Sequence, residues 1–188
     1  MCKKNTIPFF IFSFLFISIS CNDDVLPKPK GYLSLTYPSK KYKKLELERP
    51  YTFKVLENSK IIDKTNNWLS IQYPNLKASI DITYRPVQNN ITELLKEAEK
   101  LVFKHAVKAE QIVPKDFTNY QKQVFGSMYE ITGNAASHLQ FHITDSTKNF
   151  IKGSLYFYAK PNYDSILPAV AYIKEDVLKL METTAWKN

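Results

Sequence analysis

The stretch "NWLSIQYPNLKASIDITYRP", residues 67–86, alternates apolar and polar side chains on both sides of a Pro-Asn pair. Alternation is typical of a half-buried β-strand, and Pro74-Asn75 is a common turn sequence, so the stretch predicts an antiparallel hairpin. The predicted inward set is Leu69, Ile71 and Tyr73, followed by Ala78, Ile80, Ile82 and Tyr84. The predicted outward set, which should face solvent, is Ser79, Asp81 and Thr83.

The segment after the hairpin, "NNITELLKEAEKLVFKHAVKAE" at 89–110, predicts an amphipathic helix. Its apolar residues recur at the i, i+3, i+4 and i+7 spacing that places them on one face. Asn90 is a suitable N-cap, and Glu93 three residues later completes a capping-box pattern. The predicted apolar stripe is Ile91, Leu94, Leu95, Ala98, Leu101, Val102, His105 and Ala106.

Further strands and a second helix complete the predicted domain. The strand candidates are "YLSLTYP" at 32–38, "YTFKVL" at 51–56, "KQVFGSMYEIT" at 122–132, "SHLQFHITD" at 137–145 and "FIKGSLYFYA" at 150–159. A turn at 145–149, "DSTKN", joins the last two strands. The second helix, "SILPAVAYIKEDVLKLME" at 165–182, has Ser165 as its expected cap. Its expected stripe is Leu167, Val170, Ile173, Val177, Leu180 and Met181.

This order of elements predicts a single-domain α+β fold, mainly an antiparallel β-sheet packed with two amphipathic helices. Strands that follow one another through short turns pair as antiparallel neighbours, which is why a parallel sheet is not expected. The order is similar, by analogy only, to Mog1/PsbP-like folds.

The N-terminus reads as an export signal that ends in a lipid anchor. Residues 1–20 combine Lys3 and Lys4 with an apolar run of 14 residues from position 7, which is shorter than the roughly 20 needed to span a bilayer. "ISISC", ending at Cys21, resembles the lipobox of bacterial lipoproteins, although Ser18 replaces the commoner Leu. An ordinary signal peptide with an accidental cysteine is the alternative.

Cysteine usage favours the lipid. Cys2 leaves with the signal, so Cys21 is the one cysteine of the mature chain and has no partner for a disulfide within it. We expect Cys21 to carry diacylglycerol and acyl chains such as palmitate, because several chains hold a protein on a membrane far better than one. Residues 21–31 then form the lipidated N-terminus and an extended tether, and residues 32–188 form the globular domain.

The charge balance limits the classes of partner. Lys and Arg total 26 against 18 Asp and Glu, a formal charge of +8, and loss of Lys3 and Lys4 leaves about +6. No nucleic-acid motif accompanies these scattered lysines, so we expect no nucleic-acid partner. The basic run "SKKYKK" from position 39 fits anionic headgroups or, equally simply, a solvated loop and edge strand.

Candidate chemistry concentrates on two neighbouring strands. His138 and His142 lie four residues apart on a predicted strand, which separates the rings by roughly 13 Å, so we expect no metal site. One face of this strand pair would be polar and aromatic, and could bind a protein partner or a glycan; a solvated face, or one covered by a helix, is the simpler alternative. The residues of this candidate face are His138, Gln140, His142, Tyr156 and Tyr158. No G-x-S-x-G motif occurs, and we expect no catalytic residues and no cofactor.

Three longer stretches carry a family resemblance. "CNDDVLPKPKGYLSLTYP", "EAEKLVFKHAVKAE" and the segment from "GNAASHLQFHITD" to "METTAW" resemble the gliding-motility lipoprotein GldD family of Bacteroidetes. The resemblance runs from Cys21 to about Trp186, and only the anchor cysteine carries over onto a residue of this chain. It implies a lipid-anchored envelope protein needed for surface gliding and for the linked type IX secretion machinery.

The expected function is therefore an accessory role that depends on protein contacts. We expect membrane attachment through the lipid on Cys21, location at the outer membrane facing the periplasm, partners in the gliding and secretion apparatus, and no enzymatic activity. The alternative is an envelope ligand-binding lipoprotein or hydrolase that uses the face formed by His138, His142, Tyr156 and Tyr158.

Overall fold

The structure is a computed structural model that describes residues 37–158 and 163–187. All of these belong to one compact unit, Gly31–Asn188. Cys21, the signal at 1–20, the tether at 21–31 and most of the strand predicted at 32–38 lie outside the described residues, so those predictions stay predictions.

The described residues form eleven strands and two helices. In chain order these are β1 (Tyr42–Lys44), β2 (Tyr51–Thr52), β3 (Lys54–Leu56), β4 (Lys60–Asp63), β5 (Leu69–Tyr73), β6 (Ala78–Pro86), α1 (Ile91–His105), β7 (Ala109–Asn119), β8 (Val124–Gly133), β9 (Leu139–Thr144), β10 (Asn149–Phe157), α2 (Tyr163–Thr183) and β11 (Ala185–Trp186). The predicted α+β class is confirmed.

Seven strands form one antiparallel sheet in the order β4-β5-β6-β10-β9-β8-β7. Two small sheets pair β1 with β3 and β2 with β11. The segment predicted as one strand at 51–56 is divided into β2 and β3, each of which pairs with a different partner. The analogy to Mog1/PsbP-like folds stays a prediction.

The predicted hairpin is confirmed as β5 and β6, in which Ile71 lies opposite Ile80. A short 3-10 turn at Pro74–Leu76 joins the strands, and Lys77 takes a left-handed conformation at φ 49° to close it. The predicted inward residues are buried except Tyr84, which is partly buried. Burying each large apolar side chain contributes roughly 1.5–3 kcal/mol, so this hairpin is a major part of the core.

Helix α2 covers the apolar face of the sheet. Its stripe of Ile173, Val177, Leu180 and Met181 joins the same buried cluster as the β5–β6 hairpin. The helix begins at Tyr163, two residues before the expected cap Ser165, which therefore lies in the first turn. Ile166 and Ala169 are buried in place of the predicted Leu167, because they share the three- and four-residue spacing of Val170 and Ile173, whereas Leu167 lies about 100° around the helix from Ile166.

Helix α1 lies against the opposite face, where Leu94 and Ala98 pack on Phe150 of β10. Asn90 precedes the helix as predicted, but its side chain accepts a hydrogen bond from the backbone N–H of Gln88 at 2.8 Å instead of capping. The capping box is therefore not formed. The predicted stripe is narrower than expected: Leu94, Ala98 and Val102 are buried, whereas Leu95 is exposed.

Strand β7 was not predicted from the sequence. It is an 11-residue strand that pairs with β8 on one side and forms one end of the seven-stranded order. Most of its side chains are exposed, and it contains Pro114, a residue that is tolerated on edge strands because no ladder hydrogen bond is lost there.

Candidate functional site

The residues of the predicted polar face do not lie together on one open surface. Gln140 and His142 are buried, at 2% and 7% exposure, and line a narrow gap beside Ala98 and Val102 of α1. The helix-covered alternative thus describes this part of the face. Tyr156 is half-buried against His105, and Tyr158 is 65% exposed just beyond β10.

His138 occupies a different environment from His142. It lies one residue before β9, and its ring is 5.2 Å from the ring of Tyr163 at the start of α2. Its Nδ1 is 3.2 Å from the carbonyl oxygen of Ile131, which suits an Nδ1–H donor. Burial lowers its pKa, so the ring is neutral at physiological pH.

His142 lies between aromatic rings. It stacks on Phe150 with ring centroids 5.8 Å apart and an interplanar angle of 13°, and Tyr129 lies on another side at 6.2 Å. Burial lowers the pKa of His142 to about 4, while the negative charge of Asp116 acts in the opposite direction. A neutral, stacked imidazole of this kind is a packing residue at neutral pH.

His105 joins α1 to this covered region. Its Nδ1 is 3.3 Å from the side-chain amide nitrogen of Gln140, and burial together with Lys104 and Lys152 lowers its pKa. In the part of the chain that the structure describes, no hydrogen bond joins any of the three imidazoles to a carboxylate, and no group of three His, Cys, Asp or Glu side chains could hold a metal ion. The arrangement provides no acid–base pair there.

A buried polar cluster that the sequence reasoning missed lies on the other side of the molecule. Asp176 of α2 is 5% exposed, and its Oδ1 accepts a hydrogen bond from the Tyr42 hydroxyl at 2.8 Å. The Lys40 ammonium is 2.9 Å from the same oxygen and 3.1 Å from Glu175 Oε2. It also donates to the Tyr172 backbone carbonyl and lies 4.0 Å above the centre of that ring. We call these five residues the Asp176 cluster.

Electrostatics make the Asp176 cluster a coupled unit. Burial, and then the hydrogen bond to Asp176, raise the pKa of Tyr42 far above its ordinary value. Burial and the negative charge of Asp176 also raise the pKa of Tyr73. Both phenols therefore stay neutral, and Tyr42 remains a donor to the carboxylate. The cluster fastens residues 40–42 to α2.

A small cavity of about 70 Å³ lies beside the cluster. Tyr37 and Tyr172, which stack with centroids 4.7 Å apart, form part of its wall, together with Tyr73 and Leu76. This volume holds a few water molecules or one small side chain. The sequence signal for this region was Asp176 itself, a carboxylate three residues after Ile173 and four before Leu180 on an apolar stripe.

Comparison with known protein families decides the family. The model of a family described as "Gliding motility lipoprotein GldD" matches residues 22–186. The chain belongs to this family. The match confirms the resemblance found in the sequence and covers the described residues up to Trp186, including the Asp176 cluster. Comparison with curated proteins and with solved structures gives no match to the chain.

Membership of the GldD family makes this chain a gliding-motility lipoprotein of the cell envelope. The matched range begins at residue 22, directly after Cys21. Neither of the two helices that the structure describes has the length and apolar composition needed to cross a bilayer.

Proposed function

We propose that the protein is an accessory component of the gliding apparatus and of the linked type IX secretion machinery, held in the outer membrane by lipid on Cys21 and facing the periplasm. It acts through protein contacts and not as an enzyme. The observation that carries this proposal is the family match over residues 22–186, nearly the whole mature chain.

Exposed apolar side chains support a role in protein contacts. At the C-terminal end of α1, Phe103 is 59% exposed and Val107 is 81% exposed. On β7, which follows directly, Val113 is 41% exposed. Apolar and aromatic side chains at the surface mark protein contacts when they lie close together and are surrounded by polar residues. We take the end of α1 as the contact surface.

The alternative function, a ligand-binding lipoprotein or hydrolase, would use His138, His142, Tyr156 and Tyr158. Catalysis by histidine needs a proton-transfer partner within hydrogen-bond reach. Among the described residues, His138 bonds a backbone carbonyl and His142 stacks on Phe150. This geometry favours the protein-contact proposal over the hydrolase.

Crosslinking in native membranes tests the proposal. The full-length protein is crosslinked and captured, and the recovered proteins are identified by mass spectrometry. Recovery of motility or secretion subunits is expected, with a severalfold decrease for the double variant Phe103→Gln, Val107→Thr. Tyr158→Gln, at a site that is equally exposed but distant in sequence, is the control and should leave recovery unchanged.

If no envelope protein is recovered with the wild type, the double variant or Tyr158→Gln, the protein-contact proposal is wrong. Equal recovery with the wild type and the double variant would instead contradict the assignment of the contact surface to the end of α1. In that case β7 would be the next element to test.

A further inference from the structure

A pocket of about 90 Å³ lies between α1 and the strands β6 and β10. Trp68, Arg85, Leu94, Glu97, Phe150 and Lys152 are among its lining residues. We call it the Lys152 pocket. Leu94 and Phe150 belong to the apolar cluster under α1, and the indole N–H of Trp68 donates to the backbone carbonyl of Tyr84 at 2.9 Å, which fixes the ring. The pocket therefore combines a rigid apolar wall with a charged rim.

Two cations of this rim share one carboxylate. The Lys152 ammonium is 3.4 Å from Glu97 Oε1, and Arg85 Nη1 is 3.7 Å from Glu97 Oε2. Charge-assisted hydrogen bonds between such groups are usually about 2.7–2.9 Å long. Each cation thus has one Glu97 oxygen nearby, at a distance longer than a strong charge-assisted hydrogen bond. Glu97 therefore compensates the charge of neither cation fully.

Lys152 is the cation that most needs a better partner. Its side chain is 18% exposed, whereas Arg85 and Glu97 are 50% and 55% exposed. Removing an ammonium from water is costly unless a well-placed anion compensates it. Glu97 is the one carboxylate paired with Lys152 among the described residues, and it is attached to the exposed middle of α1, from which it can turn outward.

We propose that the Lys152 pocket binds the carboxylate of an acidic peptide segment, which displaces Glu97 from Arg85 and Lys152. An apolar residue next to that carboxylate contacts the partly buried ring of Trp68, which also lines the pocket. The inference rests on the proposed function only in taking the ligand to be a protein segment. Glu97 occupies the site in the free protein and competes with the ligand.

Because Glu97 competes with the ligand, one substitution within the pocket should strengthen binding. Replacing Glu97 by Gln removes the competitor but keeps the volume, so the ligand should bind more tightly. Ion pairs of this exposure contribute about 0.2–1 kcal/mol, which corresponds to a gain of up to about fivefold in affinity. Removing either cation should weaken binding instead.

The test is a titration of the full-length protein in detergent, followed by nuclear magnetic resonance at the Trp68 indole N–H. The probe is the peptide acetyl-Leu-Glu-amide, and acetyl-Leu-Gln-amide is its neutral isostere. A saturable shift with the acidic peptide is expected. The neutral peptide should bind about two- to thirtyfold more weakly, because it lacks two ion pairs that contribute about 0.2–1 kcal/mol each. Lys152→Gln and Arg85→Gln should each weaken binding, and Glu97→Gln should strengthen it.

Lys64→Gln is the matched control, because Lys64 pairs with Asp81 at 3.4 Å and is not among the residues that line the pocket. It should leave peptide binding unchanged. Arg85→Gln keeps the test valid if Lys152→Gln fails to fold, since Arg85 is half exposed.

Equal binding of the two peptides, or weaker binding by Glu97→Gln, would overturn the proposal. The outcome is separable from that of the proposed function. Absence of peptide binding together with intact crosslinks to motility proteins would contradict only the peptide-binding proposal for the Lys152 pocket. Peptide binding without any crosslinked partner would contradict the accessory role but not the peptide-binding proposal.

Discussion

His142 should make the stability of the folded protein depend on pH in a way that one substitution removes. Burial lowers the pKa of its imidazole to about 4 in the folded state, against an ordinary value of about 6.5 in an unfolded chain. Between pH 6.5 and pH 4, His142 is therefore protonated in the unfolded chain and neutral in the folded chain. The contribution of His142 to the free energy of unfolding is complete above pH 6.5 and decreases as the pH falls toward 4.

The magnitude follows from the two pKa values. A pH of 5 is about 1.5 units below the pKa of the imidazole in the unfolded chain, and each unit corresponds to about 1.36 kcal/mol of unfolding free energy. Wild-type protein should thus lose about 2 kcal/mol of unfolding free energy between pH 7.5 and pH 5.0 through His142 alone. Of the charged groups near the ring, Asp116 acts against this shift, and Lys152 is the residue paired with His142 on β10.

The assay is urea denaturation of the purified wild-type protein and of His142→Gln at both pH values. The quantity to compare is the change in unfolding free energy with pH, because any packing loss caused by Gln is the same at both pH values and cancels. Wild type should lose about 2 kcal/mol more than His142→Gln. The contributions of His105 and His138, whose pKa values are also lowered, occur in both proteins and cancel as well.

His105→Gln is the control, and it should retain the His142 contribution. A pH dependence of His142→Gln that matches the wild type within about 0.5 kcal/mol would show that the imidazole is not held neutral by burial, and the placement of His142 under α1 would then be wrong. Work below pH 5 is avoided because carboxylates begin to titrate there.

Three further perturbations test other parts of the molecule. Cys21→Ala should move the protein from the membrane fraction to the soluble fraction and abolish gliding; normal localisation and gliding would contradict the anchor. Asp176→Asn should lower the unfolding free energy by about 2–4 kcal/mol, because the one carboxylate then paired with the Lys40 ammonium among the described residues is the exposed Glu175. Glu175→Gln should change the unfolding free energy by less than about 1 kcal/mol. Gly153→Ala would place a methyl carbon 2.3 Å from the Phe141 ring and should cost about 1–3 kcal/mol in urea denaturation, with partial recovery in the double variant Gly153→Ala, Phe141→Leu.

The elements found from sequence are those whose signals are local. The β5–β6 hairpin has its turn residues and its alternation within 20 consecutive positions, and α1 has its full stripe within 15 residues. Strand β7 lacks such a signal. An exposed edge strand has little need to alternate, and the sequence "AEQIVPKDFTN" combines three charged residues with Pro114.

The candidate face shows where alternation stops being sufficient. The alternation of apolar and polar residues along β9 correctly placed Gln140 and His142 on the side of the sheet opposite the α2 core. The same alternation carries no information about the helix that packs over these two residues. His138 lies outside the regular part of β9, so its side chain is not bound by the alternation and contacts Tyr163 of α2 instead. Helix–sheet packing is a tertiary property, and one strand cannot encode it.

The Asp176 cluster is a second case that local sequence could not predict. Asp176 could be noticed as a carboxylate on an apolar stripe, and a buried carboxylate requires a partner. Which partner is not encoded nearby, because Tyr42 is 134 residues away in the chain. The run "SKKYKK" offers several lysines of equal local appearance, and only the folded chain distinguishes Lys40, whose ammonium is paired with Asp176, from Lys41, Lys43 and Lys44, which are exposed. What looked like a uniform basic loop is therefore one structural cation beside solvated ones, and any contact of this run with anionic headgroups would depend on the lysines that Asp176 does not hold.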